Sequence, residues 1–320
     1  VRIIFLGTPE FAVPTLEKLI AWQACEVVAV VCQPDRPSGR GHKVYAPPTK
    51  LVAQSKNIAV LQPERLSKSP QTVEAMHALN PDLLVMVAFG QILKKPVLEM
   101  APLGVVNIHG SLLPKYRGAA PINWAIINGE SETGITTMFS DAGVDTGKML
   151  LKQAVPIGPD TNAEELADTL SQVGADLLLK TLERISDGTI APQEQDDSQA
   201  SYAPMLKKEM GELNFSKPAC DLHNLVRGLY SWPGTYTSFG GNTLKVIRTR
   251  LADFDVPASA SPGEVIATGE KLLVACGAGD ERALELVEVQ PPGKARMPAA
   301  SWANGARLTR GAKLGLRVEP

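Results

Sequence analysis

The chain lacks any stretch approaching the roughly 18 to 20 consecutive apolar residues that a membrane span requires, although 44% of its 320 residues are hydrophobic. No membrane partner is expected. The opening VRIIFLG has the pattern of a buried β-strand rather than of a secretory signal. Cysteine is sparse: Cys25, Cys32, Cys220 and Cys276 stand too far apart for a paired-cysteine metal site, and no feature suggests secretion. They read as reduced thiols of a cytoplasmic protein that needs no metal. An excess of basic charge is also missing. The formal net charge of −2 argues against a nucleic-acid packaging role, yet the balance is uneven: 15 Lys and Arg face 12 Asp and Glu from Pro204 onward, against 17 and 22 before it. A dinucleotide fingerprint is absent too. The glycine-bearing turn Gly7-Thr8-Pro9-Glu10-Phe11 follows a strand and opens a helix, but Pro9 and Glu10 occupy positions where bare backbone must meet a pyrophosphate. A nicotinamide-dependent oxidoreductase is thereby disfavoured.

What is present is an alternation of short apolar runs with helical stretches. Strands are predicted at Arg2–Gly7, Glu26–Gln33, Ile58–Gln62, Asp82–Phe89 and Val105–His109. Helices are predicted over Glu10–Trp22, Gln71–Leu79, Ile122–Asn128 and Thr161–Asp187. This order implies an α/β domain with a mostly parallel sheet. Past Gly188 the chain turns polar and aperiodic, which predicts a linker over 190–204 between domains at 1–189 and 205–320. The second domain offers one helix, Pro218–Leu229, and short strands at Thr235–Phe239, Thr243–Arg250, Gly263–Ala267, Leu272–Cys276 and Leu284–Val289. Such a series predicts a small barrel or sandwich; the OB type of barrel is associated with nucleic acids.

The run Val105-Val106-Asn107-Ile108-His109-Gly110 carries the most chemical information. Residues two apart on a strand point the same way, so Asn107 and His109 share a face opposite Val106 and Ile108. Ligands bind near the carboxyl ends of strands in open α/β sheets. A lone strand histidine is more often structural, but two further segments change that balance. SLLPKYRGAAP follows it as a long irregular loop, and DAGVDTG places glycines on either side of Asp145. An amide donor, an imidazole and a carboxylate form a suitable set for amine attack on a carbonyl: Asn steadies an oxyanion, His donates or shuttles a proton, and Asp orients His and accepts the amine proton.

The run NIHGSLLPKYRGAAPINWAIINGESETGIT, followed by DAGVDTG, resembles the signature of the 10-formyltetrahydrofolate-dependent formyltransferases. RIIFLGTPEFAVPTL, QPDRPSGRGHK and YSWPGT extend the resemblance over nearly the full chain, toward the branch of that family whose acceptor is methionyl initiator tRNA. The resemblance implies a Rossmann-like catalytic domain, a linker and an OB-like β-barrel that helps hold tRNA, acting as a monomer. It implies a catalytic trio at Asn107, His109 and Asp145. It further implies folate contacts from Phe89, Gly90, Gln91, Ile92 and Leu93 and from the Ser111, Leu112, Leu113 and Pro114 loop. The loop from Pro34 to Pro48 carries Arg36, Arg40, His42 and Lys43 against one acid, Asp35, and glycines flank Arg40. On composition alone it is a solvated surface loop; the resemblance makes it the element that meets the acceptor arm of tRNA. Lys207 and Lys208 match a tRNA-adjacent segment, and Arg296, Arg307, Arg310, Lys313 and Arg317 form a basic stretch expected to face phosphates. One departure stands out: many members carry Ile-Asp-Trp where this chain has Leu213-Asn214-Phe215. The nearest alternative is a formyltransferase for an amino-sugar nucleotide, which the basic loop disfavours. A glycinamide ribonucleotide formyltransferase would not need the region after Pro204. A catalytically idle tRNA-binding protein would not need the intact trio.

Overall fold

A computed structural model describes residues 1–38, 43–277 and 283–315. The chain folds into two compact units. The first comprises Val1–Pro121, Glu132–Pro156 and Ala167–Pro204; the second comprises Ile122–Ser131, Ile157–Leu166 and Met205–Pro320. Arg40, His42 and Arg317 lie outside the described residues, as does the side chain of Lys43. Among the described residues no helix is long and apolar enough to cross a membrane.

The first unit is built on a seven-stranded sheet. Its strands run in the order Met149–Pro156, Glu132–Phe139, Val105–His109, Leu83–Val87, Arg2–Gly7, Glu26–Val31 and Ala59–Leu61. Pairing is parallel among the last five and antiparallel from Val105–His109 outward. Ile3, Ile4, Phe5 and Leu6 are fully buried, so both faces of the central strand are covered, which a parallel sheet requires because its crossovers lay helices on each side. The strands at Glu132–Phe139 and Met149–Pro156 are absent from the sequence prediction. Thr133, Thr136 and Thr137 are buried in Glu132–Phe139, so the alternation of polar and apolar residues that would mark a half-exposed strand is missing from it.

The long helix is Ala163–Ser186. It approaches the Val105–His109 strand from one face: a Cβ on Gly174 would lie 3.0 Å from Ile108 Cγ2, and Thr181 Oγ1 pairs with Thr137 Oγ1 at 2.9 Å. With Ile108 committed to that side, alternation turns Asn107 and His109 to the other. The predicted linker proves to be structured. Tyr202–Ala203 pairs in parallel with Arg117–Gly118, and the whole of 190–204 belongs to the first unit.

The second unit is a curled antiparallel sheet, an OB-like half-barrel. Its strands run in the order Thr235–Phe239, Asn242–Ala252, Ala283–Gln290, Leu272–Val274 and Val265–Ala267. Alternate residues Leu244, Val246, Leu272, Val274, Leu284 and Leu286 turn inward onto Leu222 and Val226 of the helix Ala219–Gly228. The two outer strands are not paired with each other. Instead the segment 311–315 spans the gap, with Gly315 N–H donating to Ser238 O at 2.9 Å and Leu314 N–H to Gly263 O at 2.9 Å. Leu213 and Phe215 are buried in this core. Asn214 Oδ1 accepts from Ser216 N–H at 3.0 Å, a turn-forming role that any short polar acceptor fills.

Candidate active site

Asn107 and His109 lie on the strand where the sheet changes from parallel to antiparallel. Their neighbours across it are Met86 and Met138 for Asn107 and Thr136 for His109. Both side chains are nearly enclosed, at 6% and 5% exposure. The third group arrives from the loop joining the two antiparallel strands. That loop begins beside Val105, where Ser140 N–H donates to Val105 O at 2.8 Å, and folds back along the polar face. Asp141 stiffens it by accepting from Gly143 N–H at 3.0 Å and from Thr146 Oγ1 at 2.8 Å. Gly147 is required sterically: a Cβ there would sit 1.8 Å from Phe139 O.

The loop delivers Asp145 with a left-handed backbone, φ +55°. Its carboxylate meets both strand residues, with Asn107 Nδ2 donating to Oδ1 over a long 3.5 Å and His109 Nδ1 lying 3.6 Å from Oδ2. The Gly118 N–H donates to Oδ2 at 2.9 Å. On the far side of the ring, His109 Nε2 is 2.8 Å from the Tyr116 carbonyl. A carbonyl only accepts, so Nε2 carries a proton, and Nδ1 is the nitrogen left to exchange a proton or donate to a ligand. Tyr116 and Gly118, both with positive φ, thus supply backbone contacts to the imidazole and the carboxylate. The sequence gives little warning of this. Gly118 is visible only as a glycine in an irregular loop, and a carbonyl leaves no residue-type signal.

Asp145 lies on the wall of a cavity of about 100 Å³ shared with Met86, Gln91, Ile92, Leu93, Met138, Ser140 and Val144. Of the residues expected to hold folate, Gln91, Ile92 and Leu93 line this cavity. Phe89 and Gly90 line a wider opening of about 590 Å³ with Gln33, Arg36, Tyr45 and Pro47. Gln91 is also a brace, because its Oε1 accepts from Leu66 N–H at 2.7 Å. Ser111 and Leu113 are buried within the loop itself. Ser111 Oγ donates to Lys115 O at 2.6 Å, and Thr136 holds Ser111 O and Leu113 N–H. Lys152 Nζ donates to Leu113 O, and burial pushes its ammonium below the usual lysine range.

In the basic loop the single acid is neutralised. Asp35 accepts from Gln62 and from Lys50, which hold its carboxyl below the usual carboxylate range. Arg36 beside it is exposed and contacts Gln33 Oε1 at 3.4 Å. Lys207, Lys208, Arg307, Arg310 and Lys313 are solvent-accessible. Arg296 lies over the Tyr230 ring, 5.8 Å from its centroid.

A doubly wound α/β domain in which an amide, an imidazole and a carboxylate converge, the carboxylate on a cavity wall, presents a set of groups suited to chemistry at a carbonyl. The comparisons make the class specific. Residues 1–182 match the Formyl transferase family and residues 205–307 its C-terminal domain, and the chain belongs to this family. A methionyl-tRNA formyltransferase of Solibacter usitatus (strain Ellin6076) is 51% identical over 314 residues, covering 98% of each chain. That of Geobacter sulfurreducens is 50% identical over 98% of this chain and 96% of its own. Among solved structures, the N-formyltransferase of Helicobacter canadensis in complex with folinic acid and dTDP-3-aminofucose shares the fold. Its TM-score is 0.67 at 21% identity, covering 91% of this chain and 99% of that one.

Proposed function

We propose that the enzyme transfers the formyl group of 10-formyltetrahydrofolate to the α-amino group of methionyl initiator tRNA, with Asn107, His109 and Asp145 as its catalytic residues. The carrying observation is that the Asn107 amide and the His109 Nδ1 both face the Asp145 carboxylate at the wall of one cavity. The free amine attacks the formyl carbon, the C=O π pair moves to oxygen, and a tetrahedral intermediate forms. The Asn107 amide and a protonated Nδ1 of His109 donate to the oxyanion. Asp145 takes the proton from the attacking nitrogen, directly or through water, and gives the imidazolium a partner. Collapse re-forms the C=O and breaks the bond to N10, which takes up the proton that Asp145 accepted. Leu93, Ile92 and Met86 give a flat heterocycle apolar walls.

The acceptor reading rests on the roughly 50% identical relatives and on surface charge. Arg36, Arg40, His42 and Lys43 in the first unit, and Lys207 and Lys208 in the second, are the residues proposed to meet tRNA. Asp35 is tied to Lys50, and the exposed Arg36 lies 4.0 Å from Glu64. This reading places a monomeric enzyme in the cytoplasm. Formyl transfer is to be compared between charged initiator tRNA and amino-sugar nucleotides. The tRNA is expected to win in kcat/KM by on the order of 10²-fold or more; a preference for the sugar would overturn the acceptor while leaving the chemistry standing.

A further inference from the structure

Residues 191–199 are exposed with one exception, Gln195, which is half-buried. Its side chain reaches under the Asp145 loop. Nε2 lies 2.8 Å from the Asp145 carbonyl and 2.8 Å from the Gly147 carbonyl, and Oε1 accepts from Arg117 Nε at 2.9 Å. The amide orientation is fixed by its partners: a flip would set oxygen against two carbonyls and nitrogen against an N–H donor. Two amide hydrogens therefore serve two carbonyls on either side of Thr146. Arg117, at 2% exposure, passes its second arm to Asp197 Oδ1 at 2.8 Å. Ser201 anchors the next stretch, with its Oγ accepting from Tyr116 N–H at 2.9 Å and its carbonyl from Arg117 N–H at 2.8 Å.

These bonds share a target. Asp145 adopts an unfavourable left-handed backbone at the reaction centre. The segment also grips Tyr116 and Arg117, and so the two backbone groups that touch His109 and Asp145, the Tyr116 carbonyl and the Gly118 N–H. Resting on the proposed catalytic trio, we infer that Gln195 is a positioning residue: the 195–203 segment is a strap whose amide clamp holds Asp145 in register with Asn107 and His109. No residue of the strap lines either cavity, and its hold on Asp145 is through the backbone, so its effect is expected on the chemical step more than on binding.

The test uses the full-length enzyme with saturating 10-formyltetrahydrofolate and methionyl initiator tRNA. Gln195→Met keeps the length and bulk of the side chain but neither donor, and Gln195→Glu sets a carboxylate against the two carbonyls. Displacement of a reacting group by about 1 Å costs on the order of 10²-fold. Gln195→Met is therefore expected to lose roughly tenfold in kcat and Gln195→Glu more, with KM for both substrates within about threefold of wild type. Wild-type kcat in Gln195→Met would show that the residue only fills space and would overturn the proposal, as would a loss carried by KM. Should Gln195→Glu not fold, the Met variant alone decides. Asp145→Asn, measured in parallel, separates the two ideas: full activity in that variant refutes the trio, whereas a slow Asp145→Asn beside a normal Gln195→Met refutes only the strap.

Discussion

Asp145→Asn is expected to lower kcat by roughly 10²- to 10⁴-fold, the range typical of a lost general acid–base group, with little change in melting temperature. The substitution preserves shape, so the loop held by Asp141 and Gly147 should still form. What changes is charge and hydrogen-bond polarity. Both carboxylate oxygens are in use, one facing Asn107 Nδ2 and the other facing His109 Nδ1 and the Gly118 N–H. An amide nitrogen at either position points donor at donor. It can neither take the amine's proton nor offset an imidazolium. Steady-state formylation alongside thermal unfolding checks the pair of expectations; a variant slow only because it is unfolded would not fit.

Gly118→Ala should fail in a different way, losing stability and activity together. At φ +114° the position is outside the range of L-residues, and an added Cβ would lie 2.8 Å from the Ala203 carbonyl. Relief requires the Arg117–Gly118 ribbon to move away from Tyr202–Ala203, which takes the Gly118 N–H off Asp145. Strain of this kind costs roughly 1–3 kcal/mol, and a drop in kcat of about 10- to 100-fold should accompany it because the carboxylate loses its backbone donor. Gly188→Ala is the matched control. It also has a positive φ, +66°, but no atom lies within 4 Å of its added Cβ, so it should destabilise by only the backbone cost of about 1–2 kcal/mol and retain full turnover. Denaturant melts and formylation rates on the same preparations make the comparison.

The reading of Asn107 and His109 as one polar face was available from strand periodicity, and Ile108 packed against the Gly174 surface of the long helix is the structural reason it works. Asp145 was legible as a carboxylate between glycines, since only a glycine tolerates the Phe139 carbonyl at position 147. The antiparallel strand Glu132–Phe139 was hidden because threonines, which suit strands and loops alike, occupy buried positions along it. The same ambiguity concealed residues 190–204. Their polarity looks like a linker's, but Gln195, Asp197 and Ser201 commit it to hydrogen bonds with Asp145, Arg117 and Tyr116. Composition reports that polar groups are present, not which partners they satisfy. Backbone contributions from Tyr116 and Gly118 lie beyond any residue-type signal for the same reason.

The central claim is that His109 and its two neighbours perform the transfer itself, and it is most directly tested by a single-turnover measurement. Formyl transfer from 10-formyltetrahydrofolate to methionyl initiator tRNA should be followed with both substrates saturating, in wild type and in His109→Ala. The account predicts a rate constant lower by on the order of 10²-fold or more, with substrate binding retained. A His109→Ala rate within about twofold of wild type would contradict it.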